Sequence, residues 1–345
     1  MQTIDEHQPA DPFGEFQPGA LTLEFALLGA RFEFRSHSAE LLALVEATYK
    51  GLPAQLLHAA VDDTGPPLRI TLTLDEDDSL AEAQALPAPR NHGGAGLFAT
   101  VMDAANFCLV APAARSALVT ISRGLLRRHS YNARYELLEF AVFMLASRTQ
   151  GLVPMHAACV GVGGRGLLLI GDSGAGKTTL SLQSYIEGME FLSEDACFVD
   201  PVSARVTGVS NHLHPRFDAL RFVEPEARRA QFAASPVIRR RSGEQKYEID
   251  LRDAGGALAT APVALAAIVL LSPQASSGAP LLHEIDIASA VARVRATQPY
   301  AAQLDCWPAF ERCIGGLPLL ELRRGSHPSE GVAALRQLLA EIEVR

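Results

Sequence analysis

The sequence predicts an α/β protein in which a sheet buried on both faces carries a phosphate-binding loop, preceded by an α+β region. Three observations point there. In "LLLIGDSGAGKTTLSLQSYIEG", Leu167 to Gly188, an apolar run enters a glycine-rich turn and leaves as a helix-like segment. From Met155 onward, runs of Val, Leu and Ile sit beside glycine turns, the texture of strands covered on both sides. Before that point, short alternating strands and helical stretches follow one another without an internal repeat.

Taken in order, the acidic, Pro-containing start "MQTIDEHQPADPFGEF" lacks the basic-then-apolar order of a signal peptide. "ALTLEFALLGARFEFRS" alternates apolar and polar residues on both sides of Gly29 and predicts two strands joined by a turn. A helix is expected near Ser38 to Tyr49, a strand at "LRITLTL", a surface loop from Asp75 to Gly96 and a strand at "ALVTISRG". "ARYELLEFAVFMLASRTQG" predicts a helix with Leu137, Phe140, Ala141 and Met144 on one face and Gly151 as its stop. The texture changes between residues 128 and 150, which divides the chain into an N-terminal α+β domain, 1–128, and a loop-bearing domain, 129–345. "APVALAAIVLLSP" is shorter than the roughly 18 apolar residues a membrane span needs and predicts a buried strand. "PSEGVAALRQLLAEIEV" predicts a closing amphipathic helix capped by Ser326 or Ser329.

Composition narrows the classes. With 48% hydrophobic and 20% charged residues the chain has the make-up of an ordinary globular protein. A net charge of −9 argues against a general nucleic-acid binder. The five cysteines are scattered, with no CxxC pair, so reduced thiols and a cytoplasmic setting are expected rather than disulfides or a metal site. No membrane or nucleic-acid partner is expected, and self-association is left open.

Gly171, Asp172, Ser173, Gly174, Ala175, Gly176, Lys177 and Thr178 fit GxxxxGK[ST] at every fixed position, with Thr179 following. Glycines let backbone N–H groups turn inward as an anion nest, and the helix N-terminus adds a favourable dipole. Lys177 would reach the β- and γ-phosphates, and Thr178 would offer its hydroxyl to Mg²⁺. This pattern predicts nucleoside triphosphate binding but does not by itself choose the reaction.

Phosphoryl transfer to a hydroxyl needs a carboxylate near Mg²⁺ and a group to receive the proton. Glu194 and Asp195, in "FLSEDACFVDP", lie 17 and 18 residues beyond Lys177. Adjacent side chains in an extended segment point different ways, so one carboxylate can face the metal and the other the acceptor. Without the loop nearby, a solvated acidic turn would be the better account. His156, in "MHAACV", opens the strand before the loop strand; taken alone it reads as an edge histidine with a satisfied ring.

His156, the loop Gly171 to Thr178 and the pair Glu194-Asp195 together resemble the HPr kinase/phosphorylase catalytic domain over about residues 153 to 200. The resemblance implies the P-loop kinase core shared with phosphoenolpyruvate carboxykinases, and ATP and Mg²⁺ as cofactors. It implies that Asp195 assists Thr178 at the metal, that Glu194 is the base and that His156 supports the site. The sequence departs from the family in having Glu as the first acid instead of Asp, and in lacking a glycine signature of the type R-G-[LM]-G-I. HPr is therefore not the expected substrate. The N-terminal half and "RTQGLVPMHAA" resemble the HPr kinase-related proteins found beside peptide natural-product pathways, some of which phosphorylate a precursor-peptide serine. The expected activity is ATP-dependent phosphorylation of a serine or other hydroxyl on a protein or peptide. A nucleotide-gated peptide-binding module and a small-molecule kinase stay open as alternatives.

Two further stretches are charged. "PVIRRRSGEQKYEIDL" gathers Arg239, Arg240, Arg241 and Lys246, either as a solvated loop or as a basic flap for phosphate or an acidic peptide. "NHLHPRF" puts His212 and His214 on one face of a strand without further identifiable metal ligands, so an ordinary loop or a substrate-side contact is expected, and Arg216 is a candidate for substrate or phosphate contact.

Overall fold

The computed structural model describes residues 21–57, 65–80, 85–276 and 280–344; the N-terminal stretch 1–16 read above lies outside them. The protein is mixed α/β, and its residues divide into two compact units, 1–50 with 58–150 and 51–57 with 151–345. The helix ending at Gln150 thus belongs to the first unit, where sequence texture had assigned residues 129–150 to the second.

In the first unit seven strands form one mixed sheet. Leu21–Leu27 and Ala30–Ser36 pair antiparallel across Leu28 and Gly29, whose φ angles of 46° and 89° suit a tight hairpin turn. The sheet continues in parallel through Leu68–Asp75 to Ser116–Ser122, then antiparallel through Phe107–Ala111, Leu97–Val101 and Arg90–Gly94. The last strand corrects the expectation of an unbroken loop to Gly96. "RNHGG" is exposed at every position, so it carries no hydrophobic signal, and pairing with Leu97–Val101 makes it a strand. Helix Ala39–Tyr49 is capped by the Ser38 hydroxyl, and its Tyr49 ring packs 5.7 Å from Phe34. The second helical segment runs through a π-type turn, Ala133–Leu138, into Glu139–Gln150, with Gly151 at φ 67° as its stop. Its buried stripe is Leu137, Leu138, Ala141, Val142, Leu145 and Ala146, whereas Phe140 and Met144 are half-buried. The wider π turn accompanies this rotation of the face from the one a 3.6-residue period predicts.

The second unit is built on a ten-stranded mixed sheet. Its centre runs Ala158–Val162, Arg165–Ile170, Val263–Ala275 and Leu319–Arg324, the last three mutually parallel. Alternation along Arg165–Ile170 sends Leu167 and Leu169 into one core and Leu168 and Ile170 into the other. Helices Lys177–Ile186 and Pro328–Val344 contribute to the first core through Leu180, Tyr185, Leu335 and Leu339. Helices Ile287–Thr297 and Trp307–Ile314 cover the second through Val294, Trp307 and Phe310. This is the doubly covered sheet that the Val/Leu/Ile texture predicts. At the closing helix, the His327 ring, not either serine, accepts the Ser329 N–H at 3.2 Å, while the Ser326 hydroxyl donates to Glu330. All five cysteines are free, and among the described residues no helix is long and apolar enough to cross a membrane.

Trp307, 2% exposed with its ring 5.0 Å from Phe310, is the largest side chain of the second core. Trp307→Ala is expected to cost ~3–5 kcal/mol. Because it removes the chain's one tryptophan, a urea titration followed by far-UV circular dichroism is the appropriate check.

Candidate active site

The loop Gly171 to Thr178 joins the buried strand Arg165–Ile170 to the helix Lys177–Ile186. Gly174 and Gly176 have φ of 84° and 103°, the left-handed region that favours glycine, and a Cβ at either would meet nothing within 4 Å. The Ala175 N–H closes a turn on the Asp172 carbonyl at 3.0 Å. Asp172 and Ser173 are exposed. Lys177 is buried and folds back onto the loop, its ammonium donating to the Gly171 carbonyl and, at 3.4 Å, to that of Asp172. Burial lowers the Lys177 pKa, and the charges of Asp195, Asp172 and Glu194 oppose that shift. Thr179 sits in the first turn of the helix, half-buried, with no described contact to the loop nest.

The acidic pair occupies the turn between strands Glu190–Ser193 and Cys197–Asp200. The Ser193 hydroxyl braces that turn on the Ala196 carbonyl at 2.7 Å. The two carboxylates have different neighbours. Glu194, with 6% of its side chain exposed, accepts the Thr178 hydroxyl at 2.6 Å and the His214 backbone N–H at 2.6 Å. The His214 ring stands 3.7 Å from the same carboxylate, and its Nε2 is 3.1 Å from Glu248. Asp195, with 34% exposed, meets His156 Nδ1 at 3.0 Å and the Arg240 guanidinium at 3.8 Å.

Burial raises the Asp195 pKa, but the His156 hydrogen bond and the charges of His156, Arg240 and Lys177 outweigh it and bring the group to about 2. An unfolded Asp titrates near ~3.9. The native state therefore favours the carboxylate, and the stability this contributes is complete above ~pH 4 and disappears as pH falls through about 2. The stability gap between the native chain and Asp195→Asn, from urea titrations at stepped pH, is expected to be flat above ~pH 4 and to change between ~4 and 2.

His156 lies at the corner between strands Val153–Met155 and Ala158–Val162. Its peptide is clasped by the buried amide of Gln298, which accepts the His156 N–H at 2.8 Å and donates to the His156 carbonyl at 3.1 Å.

A three-stranded ribbon supplies the remaining groups. Residues 245–251 run between 211–215 on one edge and 236–240 on the other. Along the first edge His212 and Leu213 pair with Asp250 and Ile249, Tyr247 N–H bonds to the Pro215 carbonyl and Leu251 N–H to that of Asn211. Along the second, Ile238 pairs with Lys246 and Glu248 N–H bonds to Pro236. Strand alternation then puts His212, His214, Lys246, Glu248, Asp250, Ile238 and Arg240 on one face, the face that meets Glu194 and Asp195. The stretch Arg239 to Lys246 is thus the tip of a hairpin. Arg216 pairs with Glu244 at 3.2 Å.

The sequence leaves His214 as a loop residue or a substrate-side contact and gives no signal for Glu248 or Gln298. The i, i+2 spacing of His212 and His214 does signal a shared face, but which strand lies opposite is decided 34 residues later. Among the described residues no group of three or more His, Cys, Asp or Glu forms a metal cage.

No protein-family model and no curated protein matches the chain. Among solved structures it is similar to the Hpr(Ser) kinase/phosphatase from Coxiella burnetii. The two share 14% identity at a TM-score of 0.30, over 55% of this chain and 98% of that one. The chemistry of the site rests on its own residues.

Proposed function

We propose that the chain is an ATP-dependent kinase, built on a P-loop core of the HPr kinase/PEP carboxykinase type, that phosphorylates a hydroxyl of a protein or peptide. The observation that carries this reading is the divided acidic pair, with Glu194 bonded to the Thr178 hydroxyl and Asp195 held beside His156. Simple nucleotide binding has no use for the second carboxylate.

The left-handed glycines Gly174 and Gly176 and the open space beside them, with the buried Lys177 next in the chain, suit a polyphosphate. The Thr178 hydroxyl and Glu194 carboxylate form a hard, all-oxygen pair suited to Mg²⁺, which takes one or two protein ligands besides phosphate. When bound, Mg²⁺ would neutralise charge on the phosphate oxygens. In the transfer the acceptor oxygen bonds to the γ-phosphorus, the bond to the β–γ bridging oxygen breaks and ADP leaves. Asp195 receives the hydroxyl proton. His156, hydrogen-bonded to one oxygen of that carboxylate, would fix its orientation and leave the oxygen on the Arg240 side for the acceptor.

This assignment reverses the expected roles, which gave the metal to Asp195 and the proton to Glu194. The reason is local: the Thr178 hydroxyl meets Glu194, and Glu194 is enclosed while Asp195 is partly open. The test is incubation of the chain with γ-labelled ATP, Mg²⁺ and hydroxyl-bearing peptides. Label on the peptide is the expected result. Tight ATP binding with no label on any acceptor would instead favour a nucleotide-gated binding module.

A further inference from the structure

The ribbon over the site has one edge with which no further described strand pairs. Pairing of Ile238 with Lys246, together with the bonds from Glu248 N–H to Pro236 and from Arg240 N–H to Glu244, turns alternate residues of 236–240 inward. Val237 and Arg239 occupy the intervening, non-hydrogen-bonded positions, so their N–H and C=O groups point outward. The strand Val237–Arg239 pairs with Gln245–Tyr247 alone among the described strands. Exposed edges of this kind accept an added strand. This one ends at Arg240, whose guanidinium is 3.8 Å from Asp195.

We propose that this edge binds the acceptor as a fourth, antiparallel strand. The acceptor would be an extended peptide segment in which the hydroxyl residue is followed at once by an acidic residue and, two positions further, by an apolar one. The identity of the segment as acceptor rests on the kinase reading; the docking does not.

The order follows from register. Opposed residues of an antiparallel pair project to the same face. A hydroxyl residue opposite Arg240 falls on the site face, the face from which the Arg240 guanidinium reaches to 3.8 Å from Asp195. The next residue lies opposite Arg239, on the outer face, and the third after the hydroxyl lies opposite Val237. Arg239 is exposed, and no described carboxylate pairs with it; Glu244, the acid at the ribbon tip, is shared by Arg216 and by Lys246 at 3.6 Å. An anion is the complement of Arg239. Val237 is 50% exposed and sits opposite Tyr247, whose ring is 4.7 Å from the exposed Phe217, so an apolar side chain suits that position. An antiparallel acceptor would continue the order of the ribbon's own pairs, and the peptide with Glu before Ser tests that direction.

The test uses the full chain with Mg²⁺, a non-hydrolysable ATP analogue and fluorescein-labelled 11-residue peptides, read by anisotropy. The parent peptide carries Ser, then Glu, with Val third after the Ser. Lys for Glu, and N-methylation of the Glu amide, are each expected to weaken binding at least ~10-fold. Arg239→Glu should weaken the parent similarly and rescue the Lys peptide. Val237→Pro, which removes an outward N–H, should weaken the parent while the affinity for the ATP analogue is unchanged.

Binding indifferent to N-methylation and to the charge swap would overturn the proposal. So would preference for the peptide with Glu before Ser, or sedimentation showing that two copies of the chain occupy each other's edges. γ-Labelled ATP separates the two readings. Edge-dependent binding without label leaves docking standing and removes the kinase; equal label on every peptide, untouched by Arg239→Glu, does the reverse. Neither binding nor label removes both.

Discussion

Asp195→Asn is expected to lower phosphoryl transfer by roughly 10²- to 10⁴-fold, the usual worth of a positioned general base, with ATP affinity nearly unchanged. The change keeps the shape of the side chain and removes its capacity to take a proton. Glu194→Gln provides the contrast. Glu194 has the Thr178 hydroxyl on one oxygen and the His214 N–H on the other. An amide placed there must turn its NH₂ toward one of these donors. The expected result is a raised Mg²⁺ requirement that high Mg²⁺ partly restores, whereas no Mg²⁺ concentration rescues Asp195→Asn. Measuring initial rates against Mg²⁺ for both variants decides the assignment: rescue of Asp195→Asn and not of Glu194→Gln would return the proton to Glu194.

Lys177→Met is expected to weaken nucleotide binding by roughly 10- to 150-fold, corresponding to loss of a charge-assisted hydrogen bond of ~1.5–3 kcal/mol. The methionine retains most of the buried stem, so the change isolates the ammonium. In the resting loop that ammonium is already bonded to main-chain carbonyls of Gly171 and Asp172. A phosphate must draw it away from partners it already has, which places the measured loss toward the lower part of the range. Titration with a fluorescent ATP analogue checks it, and affinity equal to that of the native chain would exclude Lys177 from phosphate contact.

The parts of this molecule that could be read from the sequence are those set by nearby residues. Gly174, Gly176 and the strand–loop–helix order around them follow from local sterics, and the alternation of Leu167 to Ile170 reflects a sheet covered on both faces. The hairpin at Gly29 and the cap at Ser38 are equally local. What escaped reading depended on a distant partner. "RNHGG" became a strand through pairing alone. Glu194 and Asp195 were recognisable as a pair, but their different surroundings come from Thr178, His214, His156 and Arg240, drawn from four separate elements. His214 and Glu248 meet across a ribbon whose register no single-strand pattern encodes.

Gln298 reaches His156 across 142 residues of chain. As the protein is synthesised, the glycine loop and the acidic turn leave the ribosome well before the amide that clasps the histidine. The helix Pro328–Val344, which shares a core with the loop helix, leaves later still, so the surroundings of the loop and of the histidine are both completed only at the end of the chain. On the kinase reading, competence for transfer is thereby tied to completion of the fold.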